Sequence, residues 1–170
     1  VSATNEIGEG ELSDVVSHYA QSVPGKPLSP YRVFSEKISE TTASITLAWY
    51  PLTETGGVPA TGFKLYSIDE DEVTTLEFDG TDLPEILTTV VTDLALDKDY
   101  TFYITGLNPM EGEPSNSVSY RAAGRPTALG AITEIAGSRT GSRLGLQWED
   151  SSSDGGSSIL VYTLAQVQEN

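Results

Sequence analysis

Along this chain, apolar and polar residues alternate in short runs rather than in helical turns. Ile45, Leu47 and Trp49 share one face while Ser44, Thr46 and Ala48 take the other. Tyr100, Phe102 and Ile104 alternate in the same way with Thr101, Tyr103 and Thr105, and Leu87, Thr89 and Val91 form a weaker run with a hydroxyl on the inward face. A period of two belongs to a strand with one buried and one wet face. Turn chemistry separates the runs: Thr55-Gly56-Gly57-Val58-Pro59, Asp69-Glu70-Asp71-Glu72, Asp79-Gly80 and Asn108-Pro109. No window sustains a helical period. Several short strands between such turns predict an all-β sandwich.

The pattern also repeats. Ile45-Thr46-Leu47-Ala48-Trp49 returns as Leu144-Gly145-Leu146-Gln147-Trp148, and Gly56-Gly57 returns as Gly155-Gly156, both 99 residues on. Phe63 pairs with Tyr162 and Leu65 with Leu164 at the same offset. Glu9-Gly10-Glu11-Leu12-Ser13 matches Glu111-Gly112-Glu113-Pro114-Ser115 at an offset of 102. A shared period over two separate segments is the mark of a tandem array. The expected division is the closing strands of one unit at 1–23, a complete unit at 24–124, and the opening strands of another from 125 to 170. Pro24-Gly25-Lys26-Pro27 and Gly124-Arg125-Pro126 fall at the two junctions as short connections that limit swing.

Particular residues resemble a known family. Trp49, followed by Gly56-Gly57-Val58-Pro59 and Gly62-Phe63-Lys64-Leu65, resembles the B-to-C region of fibronectin type III domains. Leu94 through Asn108 is similar to that family's E-to-F turn and F strand, with Leu96 where the family usually has proline and Gly106 where it usually has alanine. Val1-Ser2-Ala3-Thr4-Asn5 resembles the end of an F strand, to be followed by a Gly-Glu-rich loop and a G strand at about Ser13 to Ala20. The resemblance implies tandem immunoglobulin-like β-sandwiches. Their expected core comprises Leu47, Trp49, Phe63, Leu65, Leu94, Tyr100, Phe102, Ile104 and Trp148. Each tryptophan would fill the space between two sheets, a burial worth about 3 kcal/mol. Tyr100 is placed to form a tyrosine corner, its hydroxyl tied to backbone a few residues upstream and Leu94 packed under the turn.

Composition narrows the function classes. The formal charge is −16, from 25 acidic and 9 basic residues, which repels phosphate backbones and anionic membrane surfaces. No nucleic acid and no membrane contact by this segment are therefore expected. There is no cysteine, hence no disulfide framework and no thiolate chemistry. No run of about 18 apolar residues occurs, and the first residues lack the basic and apolar regions of an export signal.

Candidate chemistry is sparse, and no catalytic residue and no cofactor are expected. The acidic run makes Asp69 and Asp71 weak candidates for Ca²⁺ ligands, against a solvated hairpin turn, because the run lacks a calcium loop's ligand spacing. His18 is the only histidine, so a His-based triad or metal site has nothing to build on. Gly137-Ser138-Arg139-Thr140-Gly141-Ser142 lacks a phosphate loop's glycine spacing and lysine, and reads as an A-to-B turn.

The sequence therefore points to a non-catalytic structural spacer in a long multi-domain filament or stalk protein, extracellular or at the cell surface. Neighbouring modules of the same chain are its expected partners, with other copies in a fibre as the alternative. Three competing readings are an adhesion or receptor ectodomain, an array on the cytoplasmic cytoskeleton, and a spacer attached to an enzyme. In the adhesion reading Tyr66 and Tyr103, placed on an outer face by the alternation, form the partner face.

Overall fold

A computed structural model describes residues 1–18 and 20–166. Eleven strands occur among them: β1 (Thr4–Asn5), β2 (Gly8–Glu9), β3 (Tyr31–Lys37), β4 (Thr42–Ala48), β5 (Gly62–Ile68), β6 (Thr74–Asp79), β7 (Thr88–Ala95), β8 (Asp99–Leu107), β9 (Val118–Arg121), β10 (Thr133–Glu134) and β11 (Leu146–Gln147). Strands β3 to β9 build two antiparallel sheets, one ordered β3-β4-β7 and the other β6-β5-β8-β9. The architecture is an all-β, immunoglobulin-like sandwich.

The alternating runs supply the interior. Ile45, Leu47 and Trp49 from the first sheet meet Phe63, Leu65, Phe102 and Ile104 from the second, with Val91 and Leu94 closing one side. Trp49 is 2% exposed and packs its ring against Phe63 and Phe78, at centroid distances of 6.0 and 5.6 Å. Such tilted contacts suit the aromatic quadrupole. Strand β4 is wetter in its sequence than in its surroundings: Ser44 and Ala48 on its outer side are buried too. They are small, and β3 and β7 lie along both edges of β4.

Two local devices correct the phase of the pattern. In β7 the run Leu87, Thr89, Val91 would next turn Asp93 inward. Asp93 instead takes a φ of 60°, and Leu94 is the residue that enters the core. A short polar side chain tolerates this left-handed conformation better than most. At the β7–β8 turn, Asp97 has a φ of 66°, and the Ala95 N–H donates to the Tyr100 hydroxyl at 3.0 Å. That bond forms the tyrosine corner, with Leu94 buried beneath it. Edge strand β3 carries a bulge between Arg32 and Phe34 that leaves Val33 exposed; bulges of this kind blunt sheet edges.

The flanking segments are sparser than the sequence suggests. Strands β1 and β2 form a short hairpin, and Ser13 N–H bonds back to the Val1 carbonyl. The strand expected at about Ser13 to Ala20 is not formed among the described residues of that stretch; Tyr19 lies outside them. The hairpin supplies no ladder beyond Ser13, so Val15 and Val16 stay exposed. Of the opening strands expected from 125 onward only β10 and β11 form, paired with each other, and residues 167–170 lie outside the described set. Trp148 departs from its expected core role. It is 37% exposed and packs on Tyr162 at 6.0 Å, because no second sheet faces it among the described residues.

Candidate interaction face

The solvent side of the four-stranded sheet holds a connected group of polar and aromatic side chains. It is built by register: Tyr66 of β5 lies directly opposite Tyr103 of β8, and Lys64 opposite Thr105. Directly opposed residues in an antiparallel pair bring their side chains together. The two tyrosine rings are stacked, with centroids 5.0 Å apart and planes 13° from parallel, and both are half-buried. Leu76 of β6, opposite Tyr66, extends the face and is 46% exposed.

Glu111, in the loop after β8, organises this face. Its carboxylate accepts hydrogen bonds from the Thr105 hydroxyl at 2.7 Å and the Tyr66 hydroxyl at 3.0 Å, and pairs with Lys64 Nζ at 2.9 Å. The loop is held in place by Gly112 N–H donating to the Gly106 carbonyl at 2.9 Å. Burial alone would push the Glu111 carboxyl up, but the bonds from Thr105, Lys64 and Tyr66 outweigh it and hold it below the usual carboxylate range. Burial, and then the bond to Glu111, pushes the Tyr66 phenol up to about 12. The bond to Glu111 also raises Lys64. Lys64, Tyr66 and Thr105 thus each direct a hydrogen bond to the one carboxylate.

A second charged group ties the β5–β6 turn, the β7–β8 turn and the end of β9 together at the surface. Lys98 pairs with Glu70 at 2.5 Å, and Arg121 pairs with Asp97 at 2.5 Å and reaches Asp99 at 3.5 Å. The Lys98 bond holds Glu70 below the usual range, while Glu70 raises Lys98 and Asp97 raises Arg121. All of these groups are exposed, so each pair contributes little to stability on its own.

The acidic run folds as a turn. Asp69 Oδ1 accepts from the N–H groups of Asp71 and Val73, at 3.0 and 2.9 Å, and Glu72 takes a φ of 62°. Asp69 is thereby occupied by backbone donors, and Glu70 faces Lys98. Among the described residues no group of three or more His, Cys, Asp or Glu side chains is placed to hold a metal ion. His18 lies exposed in a stretch without strand. No helix among the described residues is long and apolar enough to cross a membrane.

Alternation located Tyr66 and Tyr103 but not Glu111. The signal for it was the recurrence of Glu9-Gly10-Glu11 as Glu111-Gly112-Glu113, since Glu9 occupies the same place in its own hairpin and accepts a bond from Ser2.

No family model matches the chain. A Kelch domain-containing protein of Sulfurisphaera tokodaii is 31% identical over 121 residues, covering 71% of this chain and 15% of that protein. Titin of Drosophila melanogaster is 27% identical over 173 residues, covering 99% of this chain and 1% of titin. The chain thus spans a small part of these much longer relatives. Among solved structures, the twitchin kinase region from C. elegans (Fn31-NL-kin-CRD-Ig26) has a TM-score of 0.47 at 18% identity, covering 59% of this chain and 17% of that one. The third fibronectin III domain of human KIAA0343 protein has a TM-score of 0.45 at 12% identity, covering 66% and 93%. The chicken CNTN1 FN1-FN3 domains have a TM-score of 0.42 at 16% identity, covering 71% and 40%.

Proposed function

We propose that this chain, whose central module is a fibronectin type III sandwich, is a non-catalytic structural spacer within a long multi-domain protein. The observation that carries the reading is the ordered junction ahead of the sandwich. Pro24 and Pro30 are fully buried, Gly25 N–H bonds to the Glu54 carbonyl at 2.9 Å, and Lys26 and Ser29 both bond to Asn116. A connection bonded along its length to the module it enters transmits position rather than slack. The division into closing strands at 1–23, a module at 24–124 and opening strands at 125–170 belongs to the same proposal, with neighbouring modules of the chain as the partners. We place the array outside the cell or on its surface; antibody labelling of intact against permeabilised cells separates this from a cytoskeletal setting.

Negative-stain electron microscopy of the native protein tests the spacer reading. A filament with one bead for about every hundred residues is the expected result. A short stalk ending in a globular head would overturn it and move the function to the head.

One observation favours a second role as an adhesion face: the stacked Tyr66–Tyr103 pair stands beside the exposed Leu76. Aromatic side chains are enriched at interfaces. Alanine at both tyrosines is expected to weaken retention of a protein partner recovered with the native chain, and unchanged retention removes this face from consideration.

A further inference from the structure

The two junctions of the chain share one geometry. Ahead of the central sandwich, Ser22 N–H donates to the Gly56 carbonyl at 2.9 Å and Gly25 N–H donates to the Glu54 carbonyl at 2.9 Å. After it, Gly124 N–H donates to the Gly155 carbonyl at 2.8 Å and Thr127 N–H donates to the Ser153 carbonyl at 2.9 Å. The donors of the two junctions are 102 residues apart and the acceptors 99, matching the sequence repeat, and Pro24 and Pro126 stand between the rungs at equivalent places.

The glycine pairs make this contact feasible. Gly56, Gly57, Gly155 and Gly156 have φ of 76°, 88°, 79° and 86°, so all four lie in the left-handed region. A Cβ at Gly56 would collide with the Ser22 carbonyl and come within 2.8 Å of the Val23 carbonyl. At Gly155 it would come within 2.5 Å of the Gly124 carbonyl and 2.7 Å of the Arg125 carbonyl. The second glycine of each pair faces the preceding unit. A Cβ on Gly57 would sit 3.0 Å from the Ala20 carbonyl, and one on Gly156 would sit 2.6 Å from Leu96 Cγ, in the turn between β7 and β8. Asn108 braces the first junction by donating through Nδ2 to the Ser22 and Thr55 carbonyls, at 2.8 and 2.9 Å, while its Oδ1 accepts from Met110 N–H. Asn5, at the equivalent place one unit earlier, holds its own turn through Oδ1 bonds to Ile7 and Gly8 N–H.

We propose that each Gly-Gly turn is a clasp which seats on the incoming linker and on the end of the preceding unit, and so fixes the angle between consecutive units. The surface is intramolecular and its occupant is the neighbouring module of the same chain. This deepens the spacer reading and rests on it for its purpose.

Because the chain has no cysteine, single labelling sites can be introduced freely. Spin labels at Thr92→Cys in the sandwich and Ser158→Cys beyond the second junction report the inter-unit distance in the full chain. A Thr74→Cys and Thr92→Cys pair reports the sandwich alone. The expected result is a narrow inter-unit distribution that broadens on Gly155→Val, with the sandwich pair unchanged. Exchange of the Gly124 and Thr127 amide protons should become about tenfold faster in the variant, as expected for loss of hydrogen-bond protection. A distribution already broad in the parent chain, or one that stays narrow in Gly155→Val with both amides still protected, overturns the clasp. Gly155 lies outside the sandwich, so unfolding of that core does not confuse the outcome. A native protein without a bead string would remove the spacer reading and leave these distances untouched.

Discussion

Trp49 combines two opposed effects in one side chain. Its ring fills the space between the sheets, yet its indole Nε1 is buried without a hydrogen-bond partner. An orphaned buried donor costs about 1 to 3 kcal/mol, whereas truncating a core tryptophan to alanine costs about 3 to 5 kcal/mol. Trp49→Phe removes the orphan and keeps much of the ring, so its loss in chemical denaturation should fall well below that of Trp49→Ala. Equal losses would mean that neither the retained ring nor relief of the orphan offsets the lost packing. Tyr66 gives a second residue-level test. With its phenol pushed up to about 12, it should ionise later than an ordinary tyrosine in an NMR titration. Glu111→Ala should lower that value only partway, because burial, the larger cause, remains. The sequence could place both residues on their faces, since alternation assigns sidedness. It could not show that Trp148 is 37% exposed among the described residues, because burial depends on an opposing sheet as much as on the residue.

At the scale of elements, the pairing of β5 with β8 sets out a row of groups that one loop carboxylate joins. The folded pKa of Glu111 lies below its unfolded value, so its contribution is present above the unfolded pKa and is lost as pH falls through the folded one. Glu70, Asp79 and Glu134 are shifted the same way. Stability measured by denaturant melts should therefore fall on acidification through the carboxylate range, and Glu111→Gln should make that fall shallower. An identical slope in the variant would mean that the carboxylate is not coupled to folding. The strands themselves were legible where alternation ran for five residues or more, as in β4 and β8. In β7 the left-handed Asp93 shifts the phase, a backbone event that a period-two pattern does not record. The strand expected at Ser13–Ala20, not formed among the described residues there, is a related case: its residues suit a strand, but strand formation requires a neighbouring ladder.

For the whole molecule, the excess of 25 acidic over 9 basic residues opposes compaction through self-repulsion. The few exposed ion pairs do little to offset it. Screening should then outweigh the loss of those pairs, so raising ionic strength at neutral pH should raise the melting temperature of the sandwich. A falling melting temperature would mean that the Lys98–Glu70 and Arg121–Asp97 pairs dominate instead. The repeat of residues was legible because it needs only residue identities at a nearly fixed offset. The role of the glycine pairs was not, since a Gly-Gly dipeptide reads first as a turn and its docking depends on carbonyls about thirty residues away in sequence.

The left-handed glycine pairs also bear on how such an array can change by mutation. Every missense change of a glycine codon introduces a Cβ, so none of the four positions has a neighbouring amino acid that preserves both the φ and the open space. An exposed strand residue such as Thr92 can drift through many substitutions at little cost. The two turns cannot, and under the clasp proposal a single base change at Gly155 would alter the course of the chain after it while leaving the central sandwich folded.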